Sequence, residues 1–194
     1  QIRYYTVNID TGAYQEYGVY SVMTGEATNL DGYYSYYHKF LGWATEPNGQ
    51  PVYQAYQSVI PTADLTLYAA VRPFRATIDL NANNAEWMDD NGQPIKVLEA
   101  SLINPSVDIL NSLPIRPGRQ FLGFMDDTGY LHEPWVDEET GDVWLSISFM
   151  EDTHLVAQWT DCTTHTGGIP TCNGQKCDYC DEYYGEKDPT VHAE

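Results

Sequence analysis

Four cysteines in the C-terminal part of the chain are the residues best suited to chemistry. Cys177 and Cys180 are separated by two residues, the spacing at which two thiolates bind one tetrahedral metal ion. Cys162 and Cys172 would complete a four-sulfur site. We therefore predict one structural zinc ion, held by Cys162, Cys172, Cys177 and Cys180, with His165 or His192 as an alternate ligand in place of one cysteine.

Two disulfides are the alternative for the same cysteines. The tail is rich in glycine and poor in apolar side chains, so burial alone cannot fold it and a cross-link is required. Disulfides suit an exported protein, whereas the Cys-x-x-Cys loop is short for a purely structural bridge. We favour zinc over disulfides. A redox dithiol is disfavoured because no βαβ pattern accompanies the motif.

Acidic residues around Trp135 form the best candidate for an acid-base pair. Asp126, Asp127, Glu133 and Asp137 lie on both sides of this tryptophan. A glycosidase needs two carboxylates at a fixed separation in a rigid cleft, and these four lie in what the sequence indicates is a variable loop. We interpret them as solvated surface groups. Because the serine-nucleophile, P-loop and His-Glu-x-x-His motifs are also absent, we predict that the chain is not an enzyme.

Calcium is a second possibility raised by the acidic residues. Segments 89–92 and 126–129 resemble fragments of an EF-hand loop. Setting each glycine at loop position six places Trp87 or Phe124 at position one, where an oxygen ligand is required. Both segments are therefore predicted to be turns, and a looser site at 137–142 stays open.

Tyrosines are the strongest candidates for recognition, since twelve of the 16 precede residue 70. Adjacent tyrosines in an extended segment cannot all face one core, so some are exposed and offer rigid contact area with a polar tip. We take Tyr33, Tyr34, Tyr36 and Tyr37 as candidate ligand-binding residues. The alternative is that tyrosine suits small, half-wet sheets. Among the tryptophans, Trp43 and Trp159 are predicted to be core, while Trp87 and Trp135 lie beside turns and are candidates for exposure.

The charge of the chain excludes several partners. Its formal net charge is -19, which repels phosphate backbones and anionic lipid surfaces. No run of eighteen apolar residues is present, so neither nucleic acid binding nor direct membrane insertion is expected. The chain begins at Gln1 without a leader, which favours a mature or trimmed product whose signal peptide and anchor are not in view.

A tandem repeat organises the rest of the sequence. Phe-Leu-Gly-Trp at 40–43 recurs as Phe-Leu-Gly-Phe at 121–124, and an Asp-led strand follows each copy, at 64–71 and 152–159. An alternating strand precedes each copy, and in the first one Tyr5, Val7 and Ile9 are predicted to face the core. We predict two small repeats, 1–73 and 74–160, and a cysteine-rich tail, 161–194. In the second repeat, the polar cap and proline at 104–105 predict a short helix.

The aromatic-x-Gly-aromatic motif, the glycine-containing turn and the Asp-Leu-Thr-Leu-Tyr-Ala strand of 40–71 resemble the Listeria-Bacteroides repeat, also called the internalin B-repeat. The second copy matches less closely, because Phe124 replaces the tryptophan and the following insert is longer. The resemblance implies a mainly β, α+β fold of two β-grasp-like repeats, in which a small sheet wraps a short helix. It also implies an extracellular or cell-surface location and a role in adhesion or spacing, with no catalytic residues to carry over.

The tail is similar to short cysteine-rich repeats near the ends of surface proteins of gut Firmicutes. We expect the partner to be an extracellular protein or a glycan. A carbohydrate-binding accessory module of a secreted hydrolase is the alternative, which would require tyrosine or tryptophan rings along one flat exposed strip.

Overall fold

The computed structural model describes residues 1–162, 165–178, 182–187 and 190. Within this part of the chain there are strands and no helices, which confirms the prediction of a mainly β fold. The strands are β1 Ile2–Val7, β2 Tyr14–Tyr20, β3 Thr28–Asn29, β4 His38–Ala44, β5 Ser58–Val59, β6 Leu65–Pro73, β7 Arg75–Asp79, β8 Val97–Glu99, β9 Ser106–Leu110, β10 Phe121–Met125, β11 Leu131–His132, β12 Trp135–Val136, β13 Val143–Ser148, β14 Thr153–Trp159, β15 Pro170–Thr171, β16 Gly174–Lys176 and β17 Tyr183–Tyr184.

The prediction of a helix from residue 104 is wrong. The α part of the predicted α+β class is therefore also wrong for the described residues. The segment forms strand β9, in which Val107 and Ile109 are partly buried on either side of the exposed Asp108. This alternation and the two β-branched side chains favour a strand. Asn104 accepts a hydrogen bond from the backbone N–H of Ser106, so it does cap a turn, but a strand follows that turn.

The described chain divides into two compact units. The first comprises Gln1–Ala76, Val97–Val107 and Ile147–Thr153. The second comprises Thr77–Lys96, Asp108–Ser146 and His154–Glu194, which includes the tail. The division predicted from sequence, at 1–73, 74–160 and 161–194, stays a prediction.

Four strands form the sheet of the first unit, in the order β2-β1-β6-β4. The two central strands, β1 and β6, are parallel, and each pairs antiparallel with its outer neighbour. The first β strand buries Ile2, Tyr4 and Thr6, not the predicted face of Tyr5, Val7 and Ile9. Of that predicted set only Val7 is buried, while Tyr5 stacks on Tyr68.

The core of the first unit surrounds Trp43, which is fully buried as predicted. It packs with Ile2, Tyr4, Leu30, Leu67 and Ala69. The indole N–H of Trp43 donates to the carbonyl oxygen of Asp31 over 2.7 Å. Asp31 belongs to the irregular segment between β3 and β4, and its backbone N–H donates to the hydroxyl of Tyr4 over 3.0 Å. Two core aromatics therefore hold the backbone of this segment at Asp31.

In the second unit, Phe124 is fully buried, which again matches the prediction. It contacts Phe121 and Trp87, with ring centroids 5.0 Å and 5.3 Å apart. Trp87 is only 3% exposed, so the suggestion that it lies on the surface is wrong. Trp159 is half-buried and Trp135 is exposed.

The two aromatic-Gly-aromatic motifs adopt the same local geometry. Gly42 in β4 and Gly123 in β10 have φ angles of 138° and 144°, which side-chain-bearing residues rarely adopt. At both positions the register of the ladder shifts, since β4 on β6 passes from Phe40 to Gly42 and β10 on β14 from Phe121 to Gly123. Each motif is therefore a strand with a bulge at its glycine.

Among the described residues, no helix has the length and apolar character needed to cross a membrane.

Candidate metal centre and candidate binding pocket

A small three-stranded sheet positions the cysteines of the tail. Its strands lie in the order β15-β16-β17, and each pairs antiparallel with the next. Cys177 directly follows β16, is buried, and donates its backbone N–H to the carbonyl oxygen of Glu182 over 2.7 Å. The end of the central strand is therefore fixed to the residue that precedes β17.

Cys162, His165 and Cys177 come together at this end of the sheet. One ligand atom from each side chain lies within 4.8 Å of the others. Zinc–sulfur bonds of about 2.3 Å place two thiolates of a tetrahedral site roughly 3.8 Å apart, so the cluster needs little contraction to bind one ion. Two thiolates and an imidazole are the donors that favour zinc over calcium or magnesium.

The predicted ligand set is only partly reproduced by this cluster. Cys172 lies in the turn between β15 and β16, where Thr171 pairs with Gly174. It is not a member of the described cluster, and His165, named as an alternate, takes its place. Cys162, Cys172 and Cys177 are not joined to one another by disulfides. Cys180 and His192 lie outside the described residues, and their roles stay predictions.

Two glycines allow the His165 segment to approach the strand so closely. Gly167 and Gly168 have φ angles of 73° and 81°. A Cβ atom on Gly168 would lie 1.9 Å from the carbonyl oxygen of Lys176, which no side chain could occupy. The backbone N–H of Asp178 donates to the carbonyl oxygen of Thr166 over 3.1 Å. These backbone contacts place His165 beside Cys177.

An aromatic contact fixes the histidine ring. His165 stacks on Tyr184 with ring centroids 5.4 Å apart and an angle of 18° between the planes. The hydroxyl of Tyr184 donates to the carbonyl oxygen of Gly167 over 2.8 Å. The tyrosine thus restrains both the ring and the backbone that carries it.

A pocket with a volume of 470 Å³ lies in the first unit, beside the tyrosines singled out from the sequence. It combines aromatic and aliphatic walls with a few charged groups, as small-molecule and peptide sites commonly do. Its lining residues are Tyr33, Tyr34, Ser35, His38, Lys39, Phe40, Phe74, Met150, Glu151 and Asp152.

Tyr33 and His38 provide an uncharged side of the pocket. The Nδ1 atom of His38 lies 2.8 Å from the carbonyl oxygen of Leu102, which can only accept, so Nδ1 carries the proton. Nε2 then accepts a hydrogen bond from the hydroxyl of Tyr33 over 3.1 Å. Burial lowers the pKa of His38 and raises the pKa of Tyr33, so both side chains are neutral at physiological pH.

The charged edge of the pocket is paired internally. Asp152 accepts from both Arg72 and Lys39, and its contact with Arg72 uses two guanidinium nitrogens. The hydrogen bond from Arg72 is the main reason that the pKa of Asp152 lies well below its usual range; burial opposes this, and Lys39 and the backbone N–H of Arg75 support it. Lys39 therefore does not present an uncompensated positive charge to a ligand.

The four candidate tyrosines are divided between the interior and the surface. Tyr34 is 68% exposed and packs edge-to-face against the exposed Tyr36, with ring centroids 5.0 Å apart. Tyr33 and Tyr37 are partly buried. Of the four, Tyr33 and Tyr34 line the pocket. A ligand-binding role for Tyr33, Tyr34, Tyr36 and Tyr37 stays a prediction.

The carboxylates near Trp135 make separate structural contacts. Asp126 caps its turn by accepting from the backbone N–H groups of Thr128 and Tyr130, and it also bonds to His132. Asp137 accepts from a backbone N–H in the turn of segment 137–142, and Glu133 is exposed.

Asp89 caps the turn at 89–92 in the way that Asp126 caps the turn at 126–129. Both EF-hand-like segments are therefore turns, as predicted.

Trp135 lies on the surface of the second unit, where it stacks on Trp144 of the neighbouring strand. The two rings have centroids 6.2 Å apart and an angle of 15° between their planes. Trp135 is 51% exposed. The exposed ring is available for contact with a ligand.

Residues 21–70 match the family model of the Listeria-Bacteroides repeat domain, a family found in bacterial surface and secreted proteins. The matched segment contains the first aromatic-Gly-aromatic motif and the tyrosine side of the pocket. Neither a curated protein nor a solved structure matches the chain.

Proposed function

We propose that this chain is a non-enzymatic recognition module of a bacterial surface or secreted protein, and that it binds an extracellular protein or glycan at the pocket lined by Tyr33 and Tyr34. The observation that carries this proposal is that the repeat-family match at 21–70 includes these pocket residues. Exposed Tyr34 and Tyr36 offer a rigid aromatic surface with hydrogen-bonding tips. The negative net charge favours a neutral or basic ligand.

The absence of an enzymatic role is part of the proposal. Asp152 is held ionised by Arg72 and Lys39, and His38 is locked between Leu102 and Tyr33. Neither group is placed as a general acid or base with a changeable proton at the pocket surface. The pocket is therefore proposed to bind its ligand without chemical conversion.

An array of glycans and extracellular matrix proteins tests the recognition role. We expect the full chain to bind at least one array member and Tyr34→Ala to weaken that binding at least about fivefold, since an aromatic anchor is worth more than about 1 kcal/mol. Tyr130→Ala is the matched control, because Tyr130 is equally exposed but lies in the second unit. An absence of binding across the array would overturn recognition in favour of a spacer role.

A carbohydrate-binding accessory module is the second candidate, favoured by the exposed Trp135, which stacks on the partly buried Trp144. Aromatic faces with wet edges suit contact with sugar rings. The same array separates the two candidates. If Trp135→Ala abolishes glycan binding while Tyr34→Ala does not, the second candidate replaces the first.

We also propose that residues 74–160 are a second copy of the repeat and that both copies are distant relatives of the β-grasp fold. Equivalent bulges at Gly42 and Gly123, with equivalent buried aromatics after them, support the duplication. The central parallel pair β1 and β6 supports the fold relationship. An experimental structure in which the two motifs have unlike bulges would contradict the duplication.

The tail is proposed to contain one structural Zn²⁺ ion. Its three strands are two or three residues long, too short to be stable without a cross-link, and Cys162, His165 and Cys177 already lie together. Metal analysis of the chain purified without chelators should give one zinc per chain. A metal-free chain whose four cysteines are all oxidised would contradict this proposal and support two disulfides.

A further inference from the structure

We propose that the zinc ligands in the tail include Cys162, His165 and Cys177 and exclude Cys172, an assignment that rests on the proposed zinc-binding role of the tail. The sequence alone favours the four cysteines and leaves the histidine as a substitute. The geometry instead makes His165 a ligand and excludes Cys172, which lies between Cys162 and Cys177 in the sequence.

The first argument is the position of Cys172 along the hairpin. It lies in the turn beyond Thr171, while Cys177 lies at the opposite end of β16. A strand rises about 3.3 Å per residue, so three residues of β16 separate the two positions by roughly 10 Å. One zinc ion cannot bind both sulfur atoms without disrupting the pairing of Thr171 with Gly174 and of Pro170 with Gln175.

The second argument is that the chain around His165 is shaped to hold the imidazole at the cluster. The left-handed conformations at Gly167 and Gly168 let this segment lie against the end of β16. The hydrogen bond from Asp178 to Thr166 fixes the approach on one side of the histidine. Such a close backbone contact costs conformational freedom, and it places a metal-binding side chain within 4.8 Å of two thiols.

The third argument is the contact between His165 and Tyr184. A ring stacked on a tyrosine, whose own hydroxyl is bonded to Gly167, has few rotamers available. A metal site binds its ion better when packing already restricts the rotamers of its ligands. The stacking therefore pre-organises the imidazole for the ion.

Titration of the full chain with Zn²⁺ in the presence of a competing chelator tests the ligand set. Cys162→Ser and His165→Ala should each weaken zinc affinity more than about 100-fold, beyond the 10–100-fold typical of losing a group that only supports a ligand. Cys172→Ser is the matched control and should leave affinity unchanged within about twofold. Loss of affinity in Cys172→Ser, or unchanged affinity in His165→Ala, would overturn the assignment.

His165→Cys keeps the test decisive if His165→Ala fails to fold. A cysteine at this position retains a donor atom, so zinc binding should persist, and Co²⁺ bound to the variant should show stronger thiolate-to-cobalt charge-transfer absorption than Co²⁺ bound to the native chain. An unchanged cobalt spectrum would mean that position 165 is not a ligand. Failure of the native chain to bind zinc at all would instead contradict the metal-binding role of the tail itself.

Discussion

The indole N–H of Trp87 donates a hydrogen bond to the carbonyl oxygen of Ser112 over 2.9 Å. Ser112 precedes Phe124 by twelve residues, and Asp31 precedes Trp43 by the same interval. In the first unit, the carbonyl oxygen of Asp31 accepts a hydrogen bond from the indole N–H of Trp43 itself. Phenylalanine at position 124 has no N–H to offer, and Trp87, which packs on its ring, supplies the missing donor from another segment.

This replacement predicts that Trp87→Phe destabilises the second unit by about 1–3 kcal/mol, because it leaves the partly buried carbonyl of Ser112 without its donor. Adding Phe124→Trp should recover part of this lost stability, because a tryptophan at position 124 could donate to Ser112 as Trp43 donates to Asp31. Urea denaturation followed by circular dichroism measures both effects. The exposed Trp135→Phe is the control and should change stability by less than about 0.5 kcal/mol. Additive losses in the double variant would contradict the replacement.

The glycines of the two motifs predict a large difference between otherwise similar substitutions. A Cβ atom at Gly123 would lie 2.4 Å from the carbonyl oxygen of His132, and one at Gly42 would lie 2.5 Å from that of Tyr53. Backbone strain at positive φ alone costs about 1–3 kcal/mol, and the clash adds to it. We expect Gly42→Ala and Gly123→Ala each to destabilise by more than about 3 kcal/mol.

Gly129→Ala is the matched control for this prediction. Gly129 has a φ angle of 84°, but its Cβ would meet nothing within 4 Å. Its substitution should therefore cost only the strain, about 1–3 kcal/mol, and less than substitution of Gly123. Chemical denaturation of the three variants provides the comparison. Equal losses at Gly123 and Gly129 would show that close backbone approach is unimportant at the motif.

Sequence predicted the features that depend on short segments. The aromatic-Gly-aromatic strands and their buried Trp43 and Phe124 follow from local composition, because bulky aromatics beside a glycine favour a buried, closely packed strand. The turns at 89–92 and 126–129 follow from the same kind of local rule, since each aspartate caps its own turn.

Features that depend on distant pairing were not predictable. An asparagine and a proline precede both helices and strands, so segment 104–110 gave a false helix. The position of Trp87 beside a turn does not reveal that its ring is needed next to Phe124. Cysteine spacing likewise does not reveal the hairpin register, which places Cys172 in a turn away from the cluster. For the same reason the sequence could name His165 only as an alternate ligand.

Asp126 predicts how the second unit responds to acid. Burial raises the pKa of its carboxyl group, but hydrogen bonds from Thr128, Tyr130 and His132 outweigh this effect and lower the pKa to about 2, from 3.8 in the absence of these contacts. The ionised form is thus favoured by folding. Its contribution, about 2 kcal/mol, is present above about pH 4 and is lost as the pH falls through about 2.

Urea denaturation between pH 5 and pH 2 measures this contribution. Asp126→Asn should be less stable than the native chain at pH 5, and its stability should fall less steeply between pH 4 and pH 2. Glu133→Gln is the control, since Glu133 is exposed and close in sequence. A native-like acid dependence in Asp126→Asn would show that this carboxyl does not gain stability from its turn.

Removal of the proposed zinc ion should unfold the tail and leave the rest of the chain folded. Strands β15, β16 and β17 bury little apolar surface apart from Cys177, so the binding energy of a structural zinc ion, about 10–16 kcal/mol in short peptides, would account for most of the order there. After chelation, hydrogen exchange at the backbone amides of Gln175, Lys176 and Cys177 should accelerate strongly. The amides of β1 and β6 should keep their protection, because the core around Trp43 contains no metal ligand.

Cys172→Ser should give the same pattern as the native chain before and after chelation. Persistent protection of the Cys177 amide, whose partner is the carbonyl oxygen of Glu182, would show that the hairpin is stable without a metal ion.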